Sequence, residues 1–440
     1  MTVENLRAVP HLTTTLTGPL LQLERRLLDM QTQIEVWFRR EWQKTPAPFY
    51  SSVDVRNAGF KVAPVDTNLF PAGFNNLNPA FHALCIHAVQ TAIERYCSYA
   101  VRVLIVAESH TRNLYYLDNI ATLRDIIHRA GLDVRVAMLP DALNAPQDVA
   151  LPSGRTLHVE PLQRNGDTVG VANFVPCLVL LNNDLSSGRP SILENISQAI
   201  APPLALGWST RLKSTHFMHY GNVAAEFARM VDIDPWLIDP LFSQCGEINF
   251  MKREGEECLQ GNVDNLFHAI QAKYDEYGID KKPFVIVKAD AGTYGMAIMT
   301  VRDPAEMSTL NRKQRTRMSA MKGGQDVTKV IIQEGVYTFE TWGPQQAVAE
   351  PVVYMIDRFV VGGFYRIHKE KGTDENLNSP GMEFEPLAFA EPCCNPDSQQ
   401  GPDANPNRFY AYGVIGRLAA LAAAREIAAQ EQVPTAQQTA

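Results

Sequence analysis

Lys288 closes an apolar run, and glycines follow it at positions 292 and 295, in the segment FVIVKADAGTYGMAIMTV of residues 284–301. A strand ending in lysine, a loop of small residues and a second apolar strand from about Met296 make a hairpin. The backbone N–H groups of such a loop can approach phosphate oxygens, and the ammonium offsets their charge. The loop is not a Walker A loop: it lacks the Gly-Lys-Ser/Thr ending and leads into a strand rather than a helix. Downstream, KVIIQEGV (329–336) reads as a buried strand running into Gln333 and Glu334, polar groups that could hydrogen-bond an adenine edge. Arg366, in FYRIH, suits the stabilisation of charge on a transferred phosphoryl group. Glu375, Asn376 and Asn378, in DENLNSPGM (374–382), are hard oxygen donors of the type Mg²⁺ takes beside nucleotide phosphates. The same segment also reads as a solvated turn around Pro380 and Gly381.

A second set of residues suits an amino acid. Residues 50–79 are rich in Asn, Pro and Gly, yet carry Arg56, Lys61, Asp54 and Asp66. A stretch of this length without periodicity reads as a binding loop or as solvated surface. Groups of both signs match a zwitterion, and Asn57, Asn68 and Asn75 are further candidates within it. Two polar clusters follow apolar strands: Glu108 to Asn113, with Arg112, after VRVLIVA (101–107), and Asn182 to Asp184 after CLVLL (177–181). In open α/β sheets, ligands gather beyond the carboxyl ends of strands.

The elements that must position these residues are legible in outline. Strand 101–107, a helix from Leu114 to Ala130 stopped by Gly131, and strand 134–139 form a β-α-β unit, which predicts a parallel sheet. Leu20, Leu23, Leu27, Met30, Ile34 and Trp37 line one face of a helix over 18–44, either a packing face or a dimer seam. Residues 80–97 are helical, and Pro202-Pro203 marks a boundary. Beyond it lie Arg211, Lys213 and His216, helices near 214–230 and 260–277, and strands at 284–288, 296–302, 328–334, 350–360 and 362–368. The basic stretch Arg312 to Arg317 reads as a solvated helix face, and an Ala-rich helix covers 409–429.

A chain of 440 residues accommodates two or three domains. With 45% hydrophobic and 20% charged residues it is neither disordered, collagen-like nor a long coiled coil. Forty basic against 48 acidic residues, a net charge of −8, argue against a general nucleic-acid binder. No segment approaches a membrane span, and Met1 to Leu28 lacks a signal-peptide core, so a cytoplasmic chain is expected. The seven cysteines show neither a CxxC pair nor zinc-like spacing and read as reduced thiols. Adjacent Cys393 and Cys394 are loop thiols or a redox or metal pair.

In this order, the strand lysine, the glycine hairpin, the Gln-Glu strand end, the arginine and the Asn-containing loop resemble the ATP-grasp ligases. RIHKEKGTDENLNSPG is similar to the Arg-to-Asn stretch of bacterial glutathione synthetases. The whole chain, including LRAVPHL, SVDVRNAGFKVAPVDTNLFPAGFNNLNP and PVVYMIDRFVVGGFYRIH, resembles a proteobacterial family of glutamate–cysteine ligases. The resemblance implies an ATP-grasp fold with an N-terminal Rossmann-like preATP-grasp domain. It also implies ATP and Mg²⁺, and L-glutamate and L-cysteine joined through an acyl phosphate. The expected division is 1–200, with the N-terminal helix, substrate loop and preATP-grasp-like part, and 201–440, the ATP-grasp part; a homo-oligomer is compatible. Lys288 then matches the strand lysine on the ATP phosphates and Lys213 the earlier ATP lysine. Gly292, Thr293, Tyr294 and Gly295 match the phosphate-covering loop, and Gln333, Glu334 and Val336 the adenine hinge. Arg366 and Lys288 are the catalytic candidates. Arg56, Asn57, Lys61, Asn68, Asn75, Glu108, Arg112 and Asn182 are the substrate candidates. Glutathione synthetases take metal ligands from a strand after the helix that follows the Arg-Asn loop. No such strand remains here, so Asp357, Glu375, Asn376 and Asn378 are the metal candidates. Another ATP-grasp amide ligase and a silent nucleotide-binding regulator stay open as alternatives.

Overall fold

The computed structural model describes residues 18–109, 113–292, 297–319, 326–386 and 408–431. The chain begins with two helices, α1 (Gly18–Asp29) and α2 (Gln31–Lys44). The single helix expected over 18–44 is broken at Met30, whose φ and ψ of −98° and 11° leave the helical range. The apolar stripe survives the break. Leu20, Leu23, Leu27, Ile34 and Phe38 are buried in a core inside the chain.

The next segment corrects the expectation of a structureless loop. Residues 50–68 form a hairpin of β1 (Tyr50–Asn57) and β2 (Val62–Asn68), closed where Ala58 N–H donates to the Lys61 carbonyl at 2.9 Å. Gly59, at φ 73°, supplies the left-handed residue of that turn. Its alternation is real but inverted. Val53 and Val55 are buried in the helical core, while Ser52, Asp54 and Arg56 line a cavity on the other face.

Helix α3 (His82–Tyr96) leads to β3 (Arg102–Ala107), α4 (Leu114–Arg129) and β4 (Asp133–Met138), the expected β-α-β unit. Then come β5 (Gln147–Ala150), β6 (Thr156–Pro161), the ribbon β7 (Gln163–Asn165) and β8 (Thr168–Gly170), β9 (Leu178–Asn182) and β10 (Ala199–Ala201). They complete a sheet of order β10-β9-β3-β4-β6-β5, parallel except between β5 and β6. After α5 (Lys213–Val231) a small antiparallel sheet follows, of order β11-β14-β12-β13. Its strands are β11 (Phe242–Gly246), β12 (Val285–Ala289), β13 (Ile298–Val301) and β14 (Lys329–Glu334), with α6 (Glu256–Glu276) and α7 (Arg312–Ser319) between them. Helix α7 is largely exposed, as the basic stretch predicts. The chain ends in β15 (Glu340–Trp342), β16 (Ala347–Ile356), β17 (Phe359–His368), β18 (Glu383–Pro386) and α8 (Arg408–Glu431).

The large antiparallel sheet has the order β18-β17-β16-β1-β2, with β15 also on β16. It therefore takes strands from both ends of the chain, so residue 200 divides the sequence but not the fold. The parallel sheet ends at that point with β10, the small sheet lies after it, and the large sheet takes strands from both sides. Helix α8 packs against β1, β2, β16 and α5. Its run Ala419 to Ala424 is at most 1% exposed, because small side chains let the helix settle between two layers. Among the described residues no helix is long and apolar enough to cross a membrane.

Polar bonds fix α8 in that slot. Glu426 accepts from Arg211 Nε at 3.0 Å and Nη2 at 2.9 Å, and lies 3.2 Å from His216 Nδ1. Burial opposes its charge, but Arg211 and His216 outweigh burial and pull its pKa down to about 2. Because the folded value lies below the unfolded one, its stabilisation is complete above roughly pH 4.3 and is lost as pH falls toward 2. Glu426→Ala should cost about 3–5 kcal/mol at pH 7 in urea unfolding, since it strands a buried arginine. The gap to the wild-type protein should narrow as the titration is repeated at successively lower pH.

Candidate active site

A cavity of about 790 Å³ lies where the three sheets meet. Its floor is one face of the large sheet: Ser52, Asp54 and Arg56 of β1, Glu350, Val352 and Tyr354 of β16, and Phe364 and Arg366 of β17. Each set recurs at a spacing of two, as side chains sharing one face of a strand must. The opposite wall comes from the small sheet through Ile286, Lys288 and Gln333, and from Lys213 at the start of α5. Glu108 and Asp184, just past the ends of β3 and β9, close a third side.

Four charged groups on the floor form a chain of alternating sign, Asp54–Arg366–Glu350–Arg56. Arg366 Nη1 donates to Asp54 at 2.9 Å and to Glu350 at 2.5 Å, and Arg56 Nε donates to the other Glu350 oxygen at 2.9 Å. Burial works against the charge on Glu350, but Arg56 and Arg366 outweigh it and lower its pKa. Asp54 moves the other way: burial dominates and raises its pKa, although Arg366 opposes this. Arg56 also donates to the carbonyls of Val336 at 3.2 Å and Glu375 at 2.5 Å. One side chain thus joins the floor to the end of the small sheet and to the 374–382 loop.

The opposite wall is cationic. Lys288 Nζ donates to the Val65 carbonyl and to Gln333 Oε1, each at 2.8 Å. Burial lowers its pKa to about 8, against the pull of Asp66. Lys213 bonds Asp66 at 3.2 Å. Burial alone would raise the Asp66 pKa, but Lys213 and then Lys288 hold it well below the usual carboxylate range. Gln333 Nε2 is buried with no hydrogen-bond partner, on a residue that lines the cavity. Asp290, two residues past Lys288, accepts from Ser214 N at 2.7 Å and Ser214 Oγ at 2.6 Å. It caps α5 and sets Lys213 beside the end of β12. Gly292 N–H donates to the Trp208 carbonyl at 3.0 Å, which ties the entrance of the glycine loop to the same segment.

Many expected site residues meet here. Lys288, Arg366, Lys213 and Gly292 line the cavity, as do Gln333, Glu334 and Val336. So do Arg56, Asn68, Asn75 and Glu108, and also Asn376 and Asn378. Thr293, Tyr294, Gly295 and Arg112 lie outside the described residues, as do Cys393 and Cys394.

Five expected residues do not line it. Lys61 is fully buried against the Glu334 carboxylate at 2.7 Å and over the Trp236 ring at 4.4 Å. Trp236 Nε1 and Leu241 N–H also donate to that carboxylate, at 3.1 and 2.9 Å, so the ion pair anchors the end of β14. Asn57 bonds Glu340 at 3.1 Å and Tyr412 at 2.9 Å. Asn182 bonds the Pro71 carbonyl at 2.9 Å and Tyr50 at 3.3 Å, which fastens the 71–76 segment to the parallel sheet. That segment is pressed so close that a Cβ on Gly73 would lie 2.6 Å from the Tyr354 hydroxyl. Asp357 occupies the β16–β17 turn and pairs with Arg95 at 3.2 Å. Glu375 accepts from Gly372 N–H at 2.7 Å and closes its own turn. The four expected metal ligands therefore do not converge. Among the described residues no group of three or more His, Cys, Asp or Glu side chains is arranged to hold a metal. The floor carboxylates Asp54 and Glu350 face arginines, so the residues present do not fit a preformed metal centre.

Glu350 and Tyr354 are not among the expected site residues, and Asp54 and Asp66 are expected only as the acidic groups of a segment suited to a zwitterion. Their signal was present as a lone acid in AVAEPVVYMI and as polar alternation in SSVDVRN.

Residues 24–427 match the family model GshA, glutamate-cysteine ligase. The chain belongs to the glutamate–cysteine ligase family. A protein of Methylobacillus flagellatus KT described as a gamma-glutamylcysteine synthetase is 56% identical to it. Its crystal structure superposes with a TM-score of 0.89 over 96% of this chain and 99% of that one. A glutathione synthetase-like effector of Globodera pallida gives a TM-score of 0.37 at 10% identity, over 86% of this chain and 85% of that one. D-alanyl-alanine synthetase A of Vibrio cholerae gives 0.31 at 8%, over 72% and 81%. No curated protein matches significantly.

Two buried lysines of the ligase should respond differently to removal. Lys61→Met strands the buried Glu334 carboxylate and should lower stability by about 3–5 kcal/mol in urea unfolding. Lys288→Met removes a cation whose burial already disfavours its charge, and stability should stay within about 1 kcal/mol. Equal losses in the two variants would contradict this division of roles.

Proposed function

We propose that the ligase binds ATP between the small and large sheets and transfers its γ-phosphoryl group to the γ-carboxylate of glutamate, and that the amine of cysteine then displaces phosphate to give γ-glutamylcysteine. The fold would be of the ATP-grasp kind, with the β3–α4–β4 sheet as its Rossmann-like preATP-grasp part. One observation carries this reading: a cationic wall of Lys288 and Lys213 faces the Asp54–Arg366–Glu350–Arg56 chain of ion pairs across a cavity of about 790 Å³, with room for nucleotide and amino acid together.

The chemistry follows from the groups. A carboxylate is a poor acyl donor, and phosphorylation provides a leaving group. The protein's task is to hold reactants in line and offset phosphate charge in a site shielded from water. Lys288 and Lys213 would meet the phosphates. The free N–H of Gln333 and the backbone near Val336 would meet the base. Arg366 would stabilise the charge that develops during transfer, while Glu350 and Asp54 keep its guanidinium oriented. Glu108, Asn75 and Asn68 would hold the amino acid beside the carboxyl ends of β3 and β9. No step is assigned to a metal ion, although Mg²⁺ is the usual companion of ATP phosphates.

ADP release should require glutamate and cysteine together, and mass analysis should find a γ-linked dipeptide. Activity with γ-glutamylcysteine plus glycine instead would move the chain to a different amide ligase.

The depressed pKa of Lys288 gives a direction with pH. Its charge is lost as pH rises through about 8, so affinity for ATP should weaken by up to about tenfold per pH unit above that value. Binding should also draw a proton from solvent near pH 8, visible by calorimetry in buffers of different ionisation enthalpy. Lys288→Arg, charged throughout, should flatten this pH dependence. Asp357→Asn suits the positive-φ turn and lies outside the cavity, so turnover should stay within about twofold of wild type.

A further inference from the structure

Two cysteines outside the cavity take no part in the ligase chemistry. Cys245 lies on β11, the edge strand of the small sheet, and is buried. Cys258 lies in the first turn of α6, which packs on that strand, and is exposed. Their sulfurs are 3.2 Å apart. A disulfide bond of about 2.05 Å needs little more than a side-chain adjustment from that distance. Asn262, one turn along α6, directs its amide N–H group toward Cys258: Nδ2 donates to the Cys258 carbonyl at 2.9 Å and lies 3.4 Å from its Sγ. Ser243 Oγ donates to Asn262 Oδ1 at 2.7 Å and so decides which edge of the amide faces the sulfur. Burial first, and then Cys258, push the Cys245 thiol up to about 12.

We propose that Cys245 and Cys258 form a redox-modification site that reacts with low-molecular-weight disulfides. The exposed Cys258 sulfur, as thiolate, attacks one sulfur of the reagent R–S–S–R, forms a mixed disulfide and expels one RS⁻. Cys245 then attacks Cys258 Sγ and gives up its thiol proton as the new bond forms, the second RS⁻ departs, and the two expelled thiolates take up protons. Two protein thiols and one reagent disulfide become one protein disulfide and two reagent thiols, with two electrons passing to the reagent. The new bond fastens α6 to β11, the direct neighbour of β14, which carries Gln333 at the cavity wall. The site takes from the ligase reading only its choice of reagent: cystine is the disulfide of the cysteine substrate, so the pair would register how much of that substrate is oxidised.

The full chain is incubated with cystine, alkylated and digested without reduction, and its peptides are weighed. Support is a linked pair of peptides carrying Cys245 and Cys258, lighter by two hydrogens than their sum, with alkylation of both lost and restored by dithiothreitol. Cys245→Ser should stop at the mixed disulfide, with one cysteine held on Cys258. Cys258→Ser should leave Cys245 unmodified. Circular dichroism confirms that both variants are folded. Full alkylation of Cys258 in the wild-type chain under excess cystine would overturn the proposal. So would a cysteine captured on Cys245 in the Cys258→Ser variant, or a disulfide joining either residue to another cysteine.

Discussion

Arg56 is bonded to three separate pieces of chain at once. It donates to Glu350 in the middle of the large sheet, to the Val336 carbonyl where the small sheet ends, and to the Glu375 carbonyl in the 374–382 loop. A buried guanidinium must have its donors satisfied, and here the partners belong to segments about 300 residues away in sequence. The cavity exists because those segments are held at that separation. Arg366 completes the arrangement by bonding Glu350 and Asp54, so two acids and two bases share one floor with no net charge. Removing any one of them would leave a buried charge uncompensated, which costs more than the pair contributes.

The second constraint is the Lys61–Glu334 pair. Both side chains are about 1% exposed, and the carboxylate accepts from Trp236 and Leu241 as well. This cluster sits where β14 ends and fixes the direction in which the chain leaves toward Val336. The adjacent residue, Gln333, points the other way and lines the cavity beside Lys288. Alternation along one strand therefore separates an anchoring carboxylate from a cavity-facing amide. On the far side, Asp290 caps α5 and holds Lys213 near the end of β12, so the cationic wall is assembled from two elements by one carboxylate.

For the proposed phosphoryl transfer such an arrangement answers a physical demand. An acylating reaction with a carboxylate needs phosphate charge offset on one side and a rigid, preorganised guanidinium on the other. A floor of interlocked ions is rigid because no member can move without stranding its partner. The mobile charge is Lys288, whose burial brings its pKa to about 8. Its ammonium is the group most easily recharged by an arriving anion.

Local chemistry alone determined a good deal of this protein. The β-α-β unit around β3 was legible because strands buried on both faces read as unbroken apolar runs, and Gly131 stops the helix between them. Lys288, Gln333 and Arg366 were legible because a charged or polar residue at the end of an apolar strand has little reason to be there except a site. The tertiary structure alone decided which polar residues face the cavity and which hold the frame. Lys61 and Arg56 are two cations of one short segment, five positions apart. One is sealed behind Glu334 and the other opens on the cavity, because the hairpin turn between them reverses the chain. Asp357 and Asn378 are both oxygen donors of the same stretch of sequence, but β17 carries them to opposite ends of the large sheet. The hairpin of 50–68 escaped notice for a related reason: β1 is completed as a sheet strand by β16, drawn from the other end of the chain. No local pattern can announce a partner about 300 residues away.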